Sequence, residues 1–403
     1  MSDSHAHTRV FLKKWVSDYI DWLRQSGFSQ STIYIQKRLL GHFERYVQAR
    51  SLEFWEFFTY ATLLDFEKQR GLWYASWSLR GLARYLARTG VIASAIEKPA
   101  PGLPDIYEEY LKFFKENGQV TPSTLSTRRM ILLGFHDYLS AEGIALSCLR
   151  IEHIDEFLRQ YNKGRPQATC RQYRCHLRGF LRYLYRNRDI LGRDLSKLVI
   201  GAVEFAYAKP PKYLRPEEIK KLFCLPRTYT PWDLRCFALV SLAYSLGLRP
   251  KEISRLSLDD IFFQKGKIRI ADRKSNNPVI LPLPETAIKA IAAYLVAGRP
   301  TTERRHLFLT LKAPFRPVSA VRVAKDITSV LRKVNPRATA YWLRHTYAQN
   351  LLESKASIFE VKEMMGHDSL DSTRRYLHIH TRLMRKVLFD CQGRPENAIN
   401  TAC

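Results

Sequence analysis

Through the N-terminal half of the chain the apolar positions recur every three or four places, the spacing of one buried helix face. The pattern occurs twice. Residues 15–47 (WVSDYIDWLRQSGFSQSTIYIQKRLLGHFERYV) align with 107–139 (YEEYLKFFKENGQVTPSTLSTRRMILLGFHDYL), so that Ser31-Thr32 falls on Ser123-Thr124, Phe43 on Phe135 and Tyr46 on Tyr138. Farther on, LRGLARYLARTGVI at 79–92 aligns with LRGFLRYLYRNRDI at 177–190. This self-similarity predicts a duplicated helical unit. Ser31 and Ser123 are expected helix caps, because a short hydroxyl side chain satisfies the free N–H groups of a first turn. Proline and glycine in KPAPGLPD mark a linker between the units, and GAVEFAYAKPPKYL at 201–214 marks a second. The expected domains are therefore 1–97, 103–200 and 208–403.

In the third segment the pattern changes. RPEEIKKLF opens a helix with Glu217 and Glu218 at its positive end. WDLRCFALVSLAYSLGLRPKEISRL predicts a buried helix, a turn at Gly247 and a second helix from Pro250, which places Arg249 at a helix start. KGKIRIADRKSNNPVILPLP alternates apolar and polar residues on both sides of an SNN turn, a β-hairpin signal with Lys274 at its tip. The expected fold is mainly α, with a small antiparallel β-sheet or hairpin in the last domain.

Charge narrows the partners. The 403 residues carry 65 Lys and Arg against 38 Asp and Glu, a formal charge of +27, which favours a polyanion such as double-stranded DNA and steeply salt-dependent binding. A hydrophobic content of 46% fits packed domains rather than a disordered basic tail. Arg171, Arg174, Arg178, Arg182 and Arg186 fall on one helix face, opposite Tyr173, Leu177, Phe180, Leu181 and Leu184. A stripe of this kind, with no acid on its face, suits contact with a phosphate backbone. Arg80, Arg84 and Arg88 repeat a thinner version. The first residues have no apolar signal core and no run of about 18 apolar residues follows, so neither secretion nor membrane spanning is expected. The 7 cysteines include no CxxC pair, which fits reduced, packed thiols in a cytoplasm. His367, His378 and His380 lack acidic or thiol partners at ligand spacing, so no metal is expected.

Five elements follow in order: Arg249 in GLRPKE, Lys274 on the hairpin, Arg344 with His345 in YWLRHTYA, and His367 and Tyr376 in MGHDSLDSTRRYLH. Together they resemble the active site of the tyrosine recombinase, or phage integrase, family over roughly residues 105 to 390. The resemblance implies a tyrosine recombinase catalytic fold preceded by two helical SAM-like DNA-binding domains. The second of these corresponds to the domain that clamps DNA opposite the catalytic domain. The first either reads distant arm sites or widens the clamp. Two arginines suit an in-line attack on a phosphodiester, because guanidinium stays charged and offers forked donors to the oxygens where charge builds up. By the resemblance, Arg249 and Arg344 grip the scissile phosphate and Tyr376 attacks it. The resulting 3'-phosphotyrosyl bond conserves the energy of cleavage, so no cofactor is needed. Lys274, placed by aligning LPL at 281–283 with the family's VPL, is the acid for the leaving 5'-oxygen, and His367 hydrogen-bonds the phosphate. Glu252, one turn after Arg249, orients that arginine or accepts a proton, while His345 buttresses the site. One position of the catalytic set departs from the family: Tyr341 stands where a histidine usually precedes the second arginine by three residues, and a tyrosine can donate one hydrogen bond to the phosphate but supplies neither positive charge nor a neutral-pH proton shuttle.

The expected function is site-specific DNA recombination of the integrase or transposase type, in a bacterial or mobile-element cytoplasm in association with the nucleoid. The expected assembly is a homo-oligomer, a tetramer of two dimers on DNA. It would be linked through the tail beyond Tyr376, where Leu383, Met384, Val387 and Leu388 form an apolar face too short to stand alone. One alternative is a transposase-like enzyme that depends on sister recombinases or accessory DNA-bending proteins. The other is a non-catalytic DNA-binding protein that keeps the fold, which the intact Arg249, Lys274, Arg344, His367 and Tyr376 disfavour because binding alone needs no nucleophile.

Overall fold

Helical periodicity resolves into fifteen α-helices among the described residues of the structure, a computed structural model. It describes residues 2–71, 75–97, 102–118, 120–201, 211–226, 228–271 and 278–366, with the single positions 370, 373 and 376. The chain forms two compact units, one of Met1–Phe57, Asp65–Ser94 and Ala206–Cys403, the other of Phe58–Leu64 and Ala95–Phe205. Most of the first helical segment and the C-terminal segment thus fall within one unit, while Phe58–Leu64, which includes the start of a helix at Tyr60, belongs to the other.

The first segment runs α1 (Ser2–Gln25), α2 (Gln30–Arg50), α3 (Tyr60–Arg70) and α4 (Ala75–Arg88). The second runs α5 (Asp105–Glu116), α6 (Pro122–Ala141), α7 (Ile151–Tyr161) and α8 (Gln167–Arg186). Phe43 is fully buried beside Phe57 and Phe66, and its counterpart Phe135 is fully buried beside Phe157. The glycine shared by both LRG motifs has a packing reason. A Cβ at Gly81 would lie 2.3 Å from the Tyr19 hydroxyl, and one at Gly179 would lie 2.6 Å from the Tyr110 hydroxyl. Each helix accepts the cost of about 1 kcal/mol for an interior glycine so that a tyrosine can lie against its backbone.

The helix caps differ from expectation. Ser29 caps α2 by accepting a hydrogen bond from the Thr32 N–H at 3.3 Å, and Thr121 caps α6 in the same way from Thr124 at 3.3 Å. Ser31 and Ser123 lie inside the first turn instead. In α6 the reason is Pro122, whose fixed φ and missing N–H suit the first helical position and leave the residue before it as the cap.

The C-terminal segment begins with α9 (Pro216–Phe223), α10 (Pro231–Leu246) and α11 (Pro250–Arg255). Glu218 accepts a hydrogen bond from the Arg215 N–H at 2.8 Å, using its acid at the helix start. A three-stranded antiparallel sheet follows in the order β1 (Ile261–Phe262), β2 (Lys267–Ile270), β3 (Val279–Pro282), with Ile268 opposite Leu281. Strands β2 and β3 are the arms of the expected hairpin, and Ile268, Ile270 and Leu281 point into the core. The short β1 had no signal of its own in the sequence. Helices α12 (Glu285–Ala297), α13 (Ala320–Leu331), α14 (Ala340–Glu353) and α15 (Ile358–Met365) complete the segment. Its core runs through Leu239, Leu242, Ile253, Ile291, Leu307 and Leu343. Arg235 of α10 is buried within it, donating to the Leu309 carbonyl and to Asp326, both at 2.8 Å. Among the described residues no helix is long and apolar enough to cross a membrane.

Candidate active site

Gly247 begins the site. It ends α10 in the left-handed region at φ 60°, and a Cβ there would lie 2.3 Å from the Tyr347 ring, so both backbone and space demand glycine. The turn brings Arg249 to the cap position of α11, where Pro250 opens the helix. Glu252 then folds back. One of its oxygens accepts from the Arg249 backbone N–H at 2.7 Å, and the other accepts from the Arg249 guanidinium, also at 2.7 Å. A single carboxylate, only 4% exposed as a residue, fixes both the start of α11 and the direction of the arginine side chain.

Arg344 arrives from the second turn of α14 and is 5% exposed. Its Nη1 donates to the Gly247 carbonyl at 2.6 Å and its Nη2 to the Met365 carbonyl at 2.5 Å. Nη1 also stands 4.0 Å from Glu252 Oε2. Arg249 in turn donates through Nη2 to the next carbonyl, that of Gly366, at 3.1 Å. Helix α15 ends there, with Gly366 left-handed at φ 60°. The last carbonyls of a helix lack partners within it and carry the negative end of its dipole. Two guanidinium groups on that end satisfy orphaned acceptors, and the Glu252 carboxylate between them, with the negative helix end, offsets their mutual repulsion.

Tyr376 completes the cluster. Its hydroxyl lies 2.9 Å from His345 Nδ1, and its ring is 2% exposed among Tyr347, Leu352, Val361 and Met365. The structure thus brings together Arg249, Glu252, Arg344, His345 and Tyr376. Tyr341 sits in the first turn of α14 and is 52% exposed. Lys274 and His367 lie outside the described residues, as do Leu383, Met384, Val387 and Leu388 of the tail. Sequence reasoning missed the anchoring carbonyls of Gly247, Met365 and Gly366. Backbone acceptors leave no side-chain signature, although the glycine that ends α15 hinted at a helix terminus beside His367.

On α8 the apolar face is buried and the arginine stripe is uneven. Arg171, Arg182 and Arg186 are exposed, whereas Arg174 and Arg178 are half-buried. Arg174 lies against Gly201, where a Cβ would come within 2.3 Å of its guanidinium carbon. On α4, Arg84 is exposed and donates to the Arg80 carbonyl at 3.1 Å, while Arg80 is half-buried.

Comparison with known proteins extends this picture. The family model described as phage integrase family matches residues 212–382, and the phage integrase N-terminal SAM-like domain matches residues 107–188. The chain is similar to tyrosine recombinase XerC of Pelotomaculum thermopropionicum, 28% identical over 295 residues that cover 70% of this chain and 95% of the relative. It is also similar to tyrosine recombinase XerD of Halalkalibacterium halodurans, 30% identical over 231 residues that cover 56% of this chain and 75% of the relative. Among solved structures, XerH site-specific recombinase bound to palindromic difH substrate in a post-cleavage complex superposes with a TM-score of 0.58. That likeness, at 22% identity, covers 71% of this chain and 84% of the other and shows a shared fold. With a XerD relative at 30% identity across most of its length and both family models in place, the chain belongs to the phage integrase family and is a tyrosine recombinase, an enzyme of site-specific recombination.

Proposed function

We propose that Tyr376 is the nucleophile of this recombinase and that Arg249 and Arg344 hold the scissile phosphate of a DNA duplex. The observation that carries this reading is the convergence of both guanidinium groups on the end of α15, ten residues before Tyr376 in the chain. Each arginine is oriented by fixed acceptors, and such preorganised cations stabilise a phosphoryl transition state without reorganising as charge develops. In cleavage the Tyr376 oxygen bonds to phosphorus, the bond to the 5'-oxygen breaks, and the 3'-phosphotyrosyl ester stores the energy for rejoining. Lys274 protonates the leaving oxygen and His367 donates to the phosphate, both by resemblance to the family. Tyr341 contributes at most one neutral hydrogen bond.

The formal charge of +27 and the exposed Arg171, Arg182, Arg186 and Arg84 support duplex DNA as the partner. Arg174, Arg178 and Arg80 serve as half-buried supports of the same faces. The domain division 1–97, 103–200 and 208–403 assigns the two helical segments to DNA and the last to catalysis. Recombination proceeds in a tetramer of two dimers on two sites, in the compartment that holds the DNA, joined through residues beyond Tyr376.

The test is a trapping assay with duplexes taken from DNA flanking the gene, each nicked beside a candidate cleavage position. A denaturant-resistant protein–DNA adduct is expected for the wild type and none for Tyr376→Phe. An adduct that survives in Tyr376→Phe would move the nucleophile elsewhere.

A further inference from the structure

We infer that His345 is the proton acceptor that activates Tyr376, a catalytic role beyond supporting the site. The inference rests on the reading of Tyr376 as nucleophile. A tyrosine hydroxyl with an ordinary pKa near 10 is almost wholly protonated at neutral pH, so attack on phosphorus requires the proton to leave. His345 Nδ1 stands 2.9 Å from that hydroxyl, within the reach of direct transfer. Among the described residues the rival acceptors fit less well. Glu252 has both oxygens engaged, one by the Arg249 backbone N–H and the other by its guanidinium. Tyr341, three residues before Arg344, is itself a phenol and takes no proton near neutrality. An imidazole with an ordinary pKa near 6.5 is largely neutral at physiological pH and takes a proton at Nδ1 when its own hydrogen is on Nε2.

Position strengthens the case. His345 follows Arg344 directly on α14, so one helix turn presents a phosphate ligand and a nucleophile's base side by side. The ring is half-buried, placed to meet the tyrosine while remaining reachable from solvent. In the reaction the hydroxyl proton passes to Nδ1 as the oxygen–phosphorus bond forms. The bond from phosphorus to the 5'-oxygen breaks with its electron pair, and that oxygen receives its proton from a separate acid. On rejoining, the proton held by His345 returns to the tyrosine oxygen.

The experiment is single-turnover adduct formation by the full-length protein on the nicked flanking duplexes, with duplex affinity measured in parallel. His345→Ala is expected to slow adduct formation by about 10²- to 10⁴-fold, the usual contribution of a general base, with affinity changed less than about threefold. His345→Asn, which keeps a hydrogen-bonding amide near the Nδ1 position and guards against a folding defect, is expected to remain as slow. Added imidazoles should restore the rate of His345→Ala in proportion to their basicity, and fluorinated tyrosines of lower pKa at position 376 should narrow the gap. A wild-type rate in His345→Ala or His345→Asn would overturn the inference, as would rescue that ignores basicity. An adduct in Tyr376→Phe would instead overturn the assignment of the nucleophile.

Discussion

Glu252 is the residue on which the arrangement of both arginines depends, and replacing it with glutamine isolates its charge. The wild-type carboxylate accepts two hydrogen bonds from Arg249 at 2.7 Å and faces Arg344 at 4.0 Å. Hydrogen bonds to charged groups contribute about 1.5–3 kcal/mol each, against about 0.5–1.5 kcal/mol for neutral ones. Glutamine keeps one carbonyl acceptor but turns an N–H toward groups that only donate. Breaking a fully buried pair costs about 3–5 kcal/mol. The Arg249 side chain is 20% exposed and recovers some hydration, which lowers the expectation to about 2–3 kcal/mol for Glu252→Gln. Urea unfolding followed by circular dichroism reads this as a lower midpoint at unchanged slope. Glu252→Asp, which keeps the charge on a shorter arm, should fall between glutamine and wild type. Adduct formation should weaken in the same order, because the direction of Arg249 is lost along with the energy. If Glu252→Gln stays within about 0.5 kcal/mol of wild type and forms adduct at the wild-type rate, the carboxylate does not hold the arginines and the reasoning fails.

Three further outcomes follow from particular residues. Gly247→Ala places a Cβ 2.3 Å from the Tyr347 ring at φ 60°, so it should lose at least about 2 kcal/mol of stability, and Tyr347→Ala in the same chain should relieve the steric part alone. If Arg182 and Arg186 meet phosphates, Arg182→Ala with Arg186→Ala should flatten the slope of log affinity against log salt by about 0.9 for each phosphate no longer neutralised, and an unchanged slope would make them ordinary solvated surface. Burial and the nearby Arg128 push His176 down to about 4, and the residue is 6% exposed. Unfolding then binds a proton between the ordinary value near 6.5 and 4, so stability falls as pH drops through that window, by up to about 3 kcal/mol, and His176→Leu should remove this component from unfolding midpoints measured across it.

Much of the fold was legible because local spacing decides it. The helical periodicity, the hairpin of β2 and β3 and the turn at Gly247 each follow from patterns within about twenty residues. The caps were misplaced because Ser29, Ser31 and Thr32 offer hydroxyls within one turn, and only the backbone angles choose among them; Ser29 is extended at ψ 147°. The arginine stripe of α8 was legible as a face, but the half-burial of Arg174 was not, since the backbone at Gly201 that covers it lies far along the chain.

The candidate site divides along the same line. Its residue types were legible, because phosphate chemistry selects arginine and tyrosine whatever the fold. Its wiring was not. Arg344 reaches the Gly247 carbonyl across 97 residues, Arg249 reaches Gly366 across 117, and the Leu214 N–H donates to Thr346 across 132, so each of these bonds exists only once elements far apart in the chain have packed. The pairing of His345 with Tyr376 spans 31 residues and depends on the same packing. A histidine beside an arginine reads in sequence as a neighbour of the phosphate ligand. Helix geometry turns consecutive side chains by about 100° from each other, so Arg344 faces the carbonyls while His345 faces the tyrosine. That rotation separates the two tasks, which is why the base of this reaction is found by looking one residue past the arginine rather than three before it.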